Sequence, residues 1–576
     1  MPTDTAPSSD VSVYDVLLIG AGHNVLVAAA RLAKAGRRVL VLERNDRVGG
    51  CIQSGEATVP GAVHDLWSTN QNLFVGSPAY AELKGDLDRH GVRFAVSERP
   101  FASVFPTGAA LRVYRDAART RDGLRRHDPR DADGWQRLSA IYDDMEASLL
   151  PLMAMPLPSL AAAGALSKAL ATLGPTRLLT AVQAVLSTPR ELGLRYVHTP
   201  EMRALLAPWA MHLDFGPDVS GGAMFPLVEA FGNQKNGMSV VEGGAQRLVD
   251  ALAAIVAEHG GEVRTGVEVT RILTDGDAAI GVETASGERI GAEEVVAGVT
   301  PRLLFGRLLR DHALDADVRA RADGFRYGPA TMMLHLALDG PIPWAADTAA
   351  AADPNRHPDD APLASFAYVH VATSVDALAQ TYADSLAGRL PAEPLLVVGQ
   401  TTAVDPTRVA SAPEGTTIAW IQVRTLPSEI TGDALGAIEA RTWEAATAPY
   451  AERVLDLLER VAPGVRARIV GQRVYGPHDL EAHNPNLVGG DSIAGSHHLD
   501  QNFLFRPFVG ASTYSMPVRH LTLVGAGTWP GAGNNGTSGF LAADKLLSSG
   551  PRLFTALAAG GAAGIAAVLK LRRGRG

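Results

Sequence analysis

Residues 15–50 read DVLLIGAGHNVLVAAARLAKAGRRVLVLERNDRVGG, and no other stretch narrows the fold as much. Residues 16–19 are a short apolar run ending at Gly20, the pattern of a buried parallel strand. Gly20 and Gly22 follow at once. Residues 25–35 are apolar with many small side chains, a helical pattern, and Gly36 stands where a helix-ending glycine belongs. Residues 37–43 form a second buried strand closing on Glu43, 21 residues after Gly22. The unit is strand, tight turn, helix, strand.

Each part suits a dinucleotide. Gly20 permits the turn, and Gly22 lets the backbone approach a pyrophosphate. The helix N-terminus, at His23 and Asn24, offers free N–H groups and a positive dipole end. Glu43, with Arg44 beside it, is placed to accept hydrogen bonds from an adenosine ribose, and an acid there repels a 2′-phosphate. Val25 stands where the third glycine of G-x-G-x-x-G belongs. That glycine serves close helix–strand packing, so valine is expected to push the helix slightly outward and leave the phosphate contacts intact. The other reading is a relic that binds nothing. Strand, glycines, helix and acid in the right order argue against it.

The chain is 576 residues long and 46% hydrophobic, which predicts two or more domains. Its net charge of −9, with both signs mixed along the chain, excludes the basic face of a nucleic-acid binder. Cys51 is the one cysteine, so an intrachain disulfide and a four-cysteine metal site are both excluded. Residues 1–10 are polar and Pro/Ser-rich and read as a disordered lead rather than a signal peptide.

Three further stretches carry a resemblance. In "ERNDRVGG", Gly49 and Gly50 follow the acid closely, similar to the R-x-G-G signature of FAD enzymes of the amine oxidase and phytoene desaturase type. "MSVVEGGAQRLVDALAAIVAEHGGEVRTGVEVTRIL" begins at Met238 and gives a turn, a helix and a strand. In that family such a strand passes the adenine, which implies a backbone contact at Val269. "HLTLVGAGTWPGAGNNGTSGFLAADKLL", from His520, resembles the desaturase segment V-G-A-G-T-H-P-G-A-G with its following helix, and Trp529 replaces the histidine. The resemblance implies flavin contacts at Gly527 and at the helix start, Gly536, Thr537 and Ser538. "GGDSIAGSHHLDQNFLFRP" matches the pyridine-nucleotide-disulfide-oxidoreductase-like branch through Gly489, Gly490, Asp500, Gln501, Arg506 and Pro507.

The chain therefore resembles the FAD-dependent phytoene desaturase and carotenoid ketolase superfamily. This implies an α/β fold: a Rossmann-like FAD-binding domain of the amine oxidase type, from residues 11–75, 238–305 and 515–548. An inserted α+β substrate domain is expected over 76–237 and 306–514. FAD is the expected cofactor. There is one dinucleotide motif and no cysteine pair, so an NAD(P)H-disulfide reductase is not expected. Oxygen, a quinone or another carrier then takes the electrons.

The expected activity is oxidation or dehydrogenation of a long apolar substrate of carotenoid or isoprenoid type. The alternatives are a lipid-binding or prenyl-binding escort-type protein without redox chemistry, or a small-amine oxidase. No catalytic residue stands out, because removal of an allylic hydride needs no compact signature. Residues 147–189 hold two charges, Lys168 and Arg177, and read equally as a lipid-contacting surface or as core helices. Residues 553–569 are uncharged and precede Lys570, Arg572, Arg573 and Arg575, which suggests a peripheral anchor on the inner face of the cell membrane. The expected location is cytoplasmic and membrane-peripheral. His478, His483, His497 and His498 match no standard metal spacing, and no metal site is assigned. His212 and Asp214 are candidates for the substrate cavity, and Cys51 reads as a packing residue.

Overall fold

Two seven-stranded sheets organise the chain. The computed structural model describes residues 14–348, 357 and 360–548. The lead at 1–10 and the tail at 551–576 lie outside them. In the first sheet, Tyr14–Ile19 pairs in parallel with Val39–Leu42 and with Arg289–Ala297, so that Leu18 lies opposite both Val41 and Val296. Glu262–Arg264 and Leu521–Leu523 extend the two sides, again in parallel. Val269–Asp275 and Ala278–Thr284 form an antiparallel meander that runs into Arg289–Ala297. The expected FAD-binding strands are thus gathered from three distant stretches of chain.

The first helix, His23–Lys34, is not displaced by its valine. Val25 is buried against Gly298, where an added Cβ would lie 2.3 Å from Val25 Cγ2. The small residue this packing needs is on the strand side. On the helix's other flank, a Cβ on Gly539 would sit 1.7 Å from the Asn24 carbonyl oxygen, so helix Thr537–Ser548 also approaches closely.

The second sheet runs Ile469–Tyr475, Ala330–Leu338, Thr417–Leu426, Leu395–Gly399, Tyr368–Val371, Phe101–Val104, Ala110–Val113. All its pairings are antiparallel except Tyr368–Val371 with Phe101–Val104. Helix Trp443–Val461 packs on one of its faces, and helices Pro129–Ser148 and Pro200–Met211 join the core on the other. Helix Leu160–Leu186 lies outside them, with a kink at Gly174–Pro175. It leaves Leu160, Leu166, Leu170, Leu179 and Leu186 exposed. Among the described residues it is the one helix long and apolar enough to cross a membrane, by length and composition only.

Further segments join the nucleotide side at the seam between the two sheets. Helix Pro78–Arg89 packs Ala79, Leu83 and Leu87 into the nucleotide-side core, and Phe94–Ser97 pairs with Met238–Val241. Leu304, Phe305, Leu308 and Phe508 also belong to that side. These segments carry apolar faces that only the first sheet covers.

A buried ion cluster pins the seam. Arg408 Nη1 lies 2.9 Å from Asp65 Oδ2, its Nε lies 3.2 Å from Asp405 Oδ2, and its Nη2 donates to the Val241 carbonyl. Asp65 Oδ1 also accepts from Ser54 Oγ and from the Ala245 N–H, and Asp405 Oδ2 accepts from the Gly243 N–H. Gly243 and Gly244 have φ of +73° and +115°, a turn that aims these N–H groups at the carboxylates. The carboxylate of Asp65 thereby sits at the N-terminus of helix Gln246–Glu258, where the helix dipole favours it.

Candidate active site

The C-terminal ends of the parallel strands open onto a cleft that runs through to a second, inner cavity, as the ends of such sheets are suited to do. At the outer end, Gly20 has φ +88° and donates its N–H to the Leu42 carbonyl at 2.7 Å. A Cβ on Gly22 would meet nothing within 4 Å, so the backbone there faces open cleft. Glu43 Oε2 accepts from the Ala21 N–H at 2.7 Å, and Oε1 accepts from the Asn45 N–H at 2.9 Å. Those bonds fix the carboxylate beside the glycine turn. Arg44 is exposed on the rim, and Val267, Glu268 and Val269 form the facing wall.

Gly49 and Gly50 close against the first turn. Their φ values are +129° and +59°, the Gly49 N–H donates to the Ala21 carbonyl, and a Cβ on Gly50 would lie 3.2 Å from Gly22 Cα. Further in, His23, Asn24 and Val25 line the cleft opposite Gly525, Ala526 and Gly527. Burial holds the His23 imidazole down at about 4, so it is neutral at physiological pH.

Gly536, Thr537 and Ser538 stand a layer behind the cleft wall, which Ala532, Gly533 and Asn534 form instead. Gly536 packs toward Val27, the Thr537 N–H is used by Asn535 Oδ1, and Ser538 Oγ accepts from the Gly525 N–H and bonds Thr528 Oγ1. Ser538 therefore braces the glycine loop. Arg506 braces it from the other side, donating to the Ala526, Ser496 and Gly495 carbonyls. Trp529 is likewise buried: its Nε1 donates to the Met155 carbonyl at 2.9 Å, and it packs on Phe503 in the core rather than on the cavity.

The inner cavity begins at Cys51, Ala532 and Asn534, and its space, counted together with the solvent it opens to, is about 1010 Å3. Its walls are Trp67, Trp209, Met333, Tyr368, Trp420 and Leu487, with Gln422, Arg424, Glu229 and His212 among them. Tyr368 and Trp420 stack with ring centroids 5.7 Å apart. Removal from bulk water pushes the Cys51 thiol up to about 11 and Glu229 up to about 7, and brings Arg424 down to about 10. Burial, with Arg424 nearby, keeps His212 neutral. Asp214 lies behind the wall, bonded to the Tyr382 hydroxyl, and burial raises it to about 6. The four histidines separate: His483 stacks on Trp67, His497 Nε2 accepts from the Ala532 N–H, His498 faces Asp214, and His478 faces Asp479.

Several of these residues escaped the sequence reading. Trp420, Gln422 and Arg424 alternate along Thr417–Leu426 and face the cavity together, and a polar stripe of period two in an apolar strand is a readable signal. Glu229 lies in a π-helical segment, Leu227–Phe231, which the sequence does not betray. Asn486 ties the Thr300 N–H to the Gly298 carbonyl across the cleft floor, from a loop without a motif.

The groups present fit FAD: an open glycine turn at a helix N-terminus, an acid at the adenosine end, and a long cleft leading to a shielded cavity. The family model described as flavin containing amine oxidoreductase matches residues 26–391. The rat pyridine nucleotide-disulfide oxidoreductase domain-containing protein 2 is 26% identical, over 91% of this chain and 92% of its own length. A limonene dehydrogenase subunit of Castellaniella defragrans is also 26% identical, with the same coverage. The neurosporene-forming phytoene desaturase of Cereibacter sphaeroides is 28% identical, over 95% and 96%. Among solved structures, cyclohexylamine oxidase from Brevibacterium oxydans aligns with a TM-score of 0.54 at 16% identity, over 93% of this chain and 99% of that one. The chain belongs to the flavin-containing amine oxidoreductase family and is an FAD-dependent oxidoreductase.

Proposed function

We propose that this member of the flavin-containing amine oxidoreductase family dehydrogenates a long, largely apolar substrate of isoprenoid or carotenoid type. The observation that carries the reading is the inner cavity, walled mainly by aromatic and aliphatic side chains and sharing lining residues with the FAD cleft. Burying a long apolar chain there supplies the binding energy that positions one C–H bond. The names of two relatives, a phytoene desaturase and a limonene dehydrogenase, support the same class.

Bound FAD supplies a two-electron acceptor. Gly20, Gly22, His23, Asn24, Gly49, Gly50 and Gly527 would hold it along the cleft, with Glu43, Arg44 and Val269 toward the adenosine and Gly536, Thr537 and Ser538 at the helix start behind the glycine loop. The substrate loses one hydrogen with its electron pair and a second as a proton. Glu229 is the residue suited to take that proton on a carboxylate oxygen, since it lines the cavity and titrates near neutrality. The aromatic walls exclude water from the reacting carbon. Oxygen, a quinone or another carrier reoxidises the flavin.

The exposed leucines of Leu160–Leu186 support docking on the inner, cytoplasmic face of the cell membrane, together with the basic tail at 551–576. That helix touches Met224–Pro226, next to the segment carrying Glu229, so the membrane contact and the cavity are neighbours.

A small-amine oxidase is the second reading, favoured by the family's name and by the stacked Tyr368–Trp420 pair. The Arg424 cation in the cavity repels an ammonium substrate. Anaerobic mixing of the oxidised protein with polyenes and with small amines decides between the two. Bleaching of the flavin band by a polyene is expected, and bleaching by amines alone would overturn the proposal.

A further inference from the structure

A hydrocarbon gives a guanidinium nothing to bind, and this cavity is lined by one, half-buried on Arg424. Arg424 projects from the second sheet into the cavity wall. Its Nη1 donates to Ser492 Oγ at 3.2 Å, and its Nε has no acceptor. The fully buried arginines Arg408 and Arg506 are matched: Arg408 has Asp65 and Asp405, and Arg506 has three carbonyls.

The nearby acids do not fill the role. Asp491 is already engaged by the Gly328, Ile493 and Gly495 N–H groups. Glu229 makes no ion pair with Arg424 within 4 Å among the described residues, and its raised pKa leaves it partly protonated at neutral pH. The surroundings add further donors without acceptors. The Nε1 donors of Trp67, Trp209 and Trp420 are all unpaired. A cation with no carboxylate in contact, beside unfilled donors, calls for an anion with several acceptor lone pairs.

We infer that the substrate carries a carboxylate, which pairs with Arg424 while the apolar remainder of the molecule fills the aromatic part of the cavity. This rests on the dehydrogenase reading for the tail and for the bond oxidised, but not for the head. Arg424 is thus a specificity-determining residue. It sets which end of the chain enters first, and so which C–H bond reaches the flavin.

The test uses the FAD-loaded protein and three probes of one skeleton: farnesoic acid, its methyl ester, and the hydrocarbon farnesene. Binding is read from the perturbation of the oxidised flavin spectrum, and reduction from its anaerobic bleaching. A charge-assisted pair should make the acid bind roughly 30-fold tighter than the ester. Arg424→Met should bring acid and ester within about threefold of each other, and Arg424→Lys should keep part of the difference, because a point charge lacks the forked geometry. FAD content and thermal melting show whether each variant is folded. If Arg424→Met is not, the wild-type ratio and the lysine variant decide.

Equal binding of acid and ester by the wild type overturns the inference, as does a folded Arg424→Met that keeps the preference. Reduction by farnesene without tighter binding of the acid would sink the carboxylate head and leave the dehydrogenase reading standing. Tight, Arg424-dependent binding of the acid with no reduction by any isoprenoid would do the reverse.

Discussion

The two ends of the ligand space are made of different material. The outer cleft is backbone: Gly20, Gly49 and Gly50 take positive φ, and Gly22 and Gly527 leave main chain bare beside the cleft. The inner cavity is side chain, from Trp67, Trp209, Tyr368, Trp420, Arg424 and Glu229 on five separate stretches of chain. A backbone cradle fits one ligand shape and tolerates little variation. A side-chain cavity can be refitted residue by residue while the cradle stays the same, which is why one family acts on many substrates.

The sharpest way to break the cradle is Gly22→Val. Its side chain would project into the space a pyrophosphate needs, so FAD binding should be lost, read as the absence of flavin absorbance in the purified protein. A variant that still carries one FAD per chain would mean that the turn is not the phosphate site.

The seam between cradle and cavity comes next. Arg408→Met leaves Asp65 and Asp405 buried without their cation, and should destabilise the protein by about 3–5 kcal/mol, seen as a large fall in Tm. A drop of under about 1 kcal/mol would show that the cluster does not hold the halves together.

The third test separates cavity from cradle by pH. Burial raises Glu229 from 4.5 to about 7, so the folded protein binds this proton more tightly than the unfolded chain does. Its contribution therefore favours folding below about pH 4.5 and is lost as pH rises through about 7. Glu229→Gln should match the wild type in acid and exceed it above neutrality by up to roughly 3 kcal/mol, measured by denaturant melts across pH. A constant offset at every pH would place Glu229 in ordinary solvent.

The smallest effect belongs to Trp529. Trp529→Phe removes the hydrogen bond to the Met155 carbonyl and should cost about 1 kcal/mol, with FAD and substrate specificity unchanged. A change in substrate preference would move this indole from the core to the cavity.

How much of this was legible follows the same division. The cradle is written in consecutive letters: Gly20 to Glu43 and the Gly49–Gly50 pair define a local backbone path, so the first sheet, its helix and FAD could be read from sequence. Strand Thr417–Leu426 supplies Arg424, but nothing in its letters says that Trp67 and Trp209 will face it, because only the folded sheet sets that register. The helix start at Thr537 is visible in the letters, yet its contacts are not. Asn535 and Ser538 spend their polar atoms inside the loop, a choice made by packing rather than by motif. The packing of the segments just past 76 and 305 is not written in their letters for a similar reason. Apolar helices there could have packed on either sheet.

Gly298 bears on how such motifs drift. A Cβ at this position would meet not only Val25 Cγ2 but also the Ile19 carbonyl oxygen, at 2.7 Å, so the backbone itself forbids a side chain there. The hollow beside the helix therefore exists whatever residue 25 is. A mutation from glycine to valine at 25 enlarges a side chain into vacant room and needs no partner change, whereas a side chain at 298 has no tolerated route. Between the two positions, the packing constrains Gly298 more tightly than residue 25. A fingerprint that demands the third glycine of the opening loop will pass over descendants that keep the fold intact.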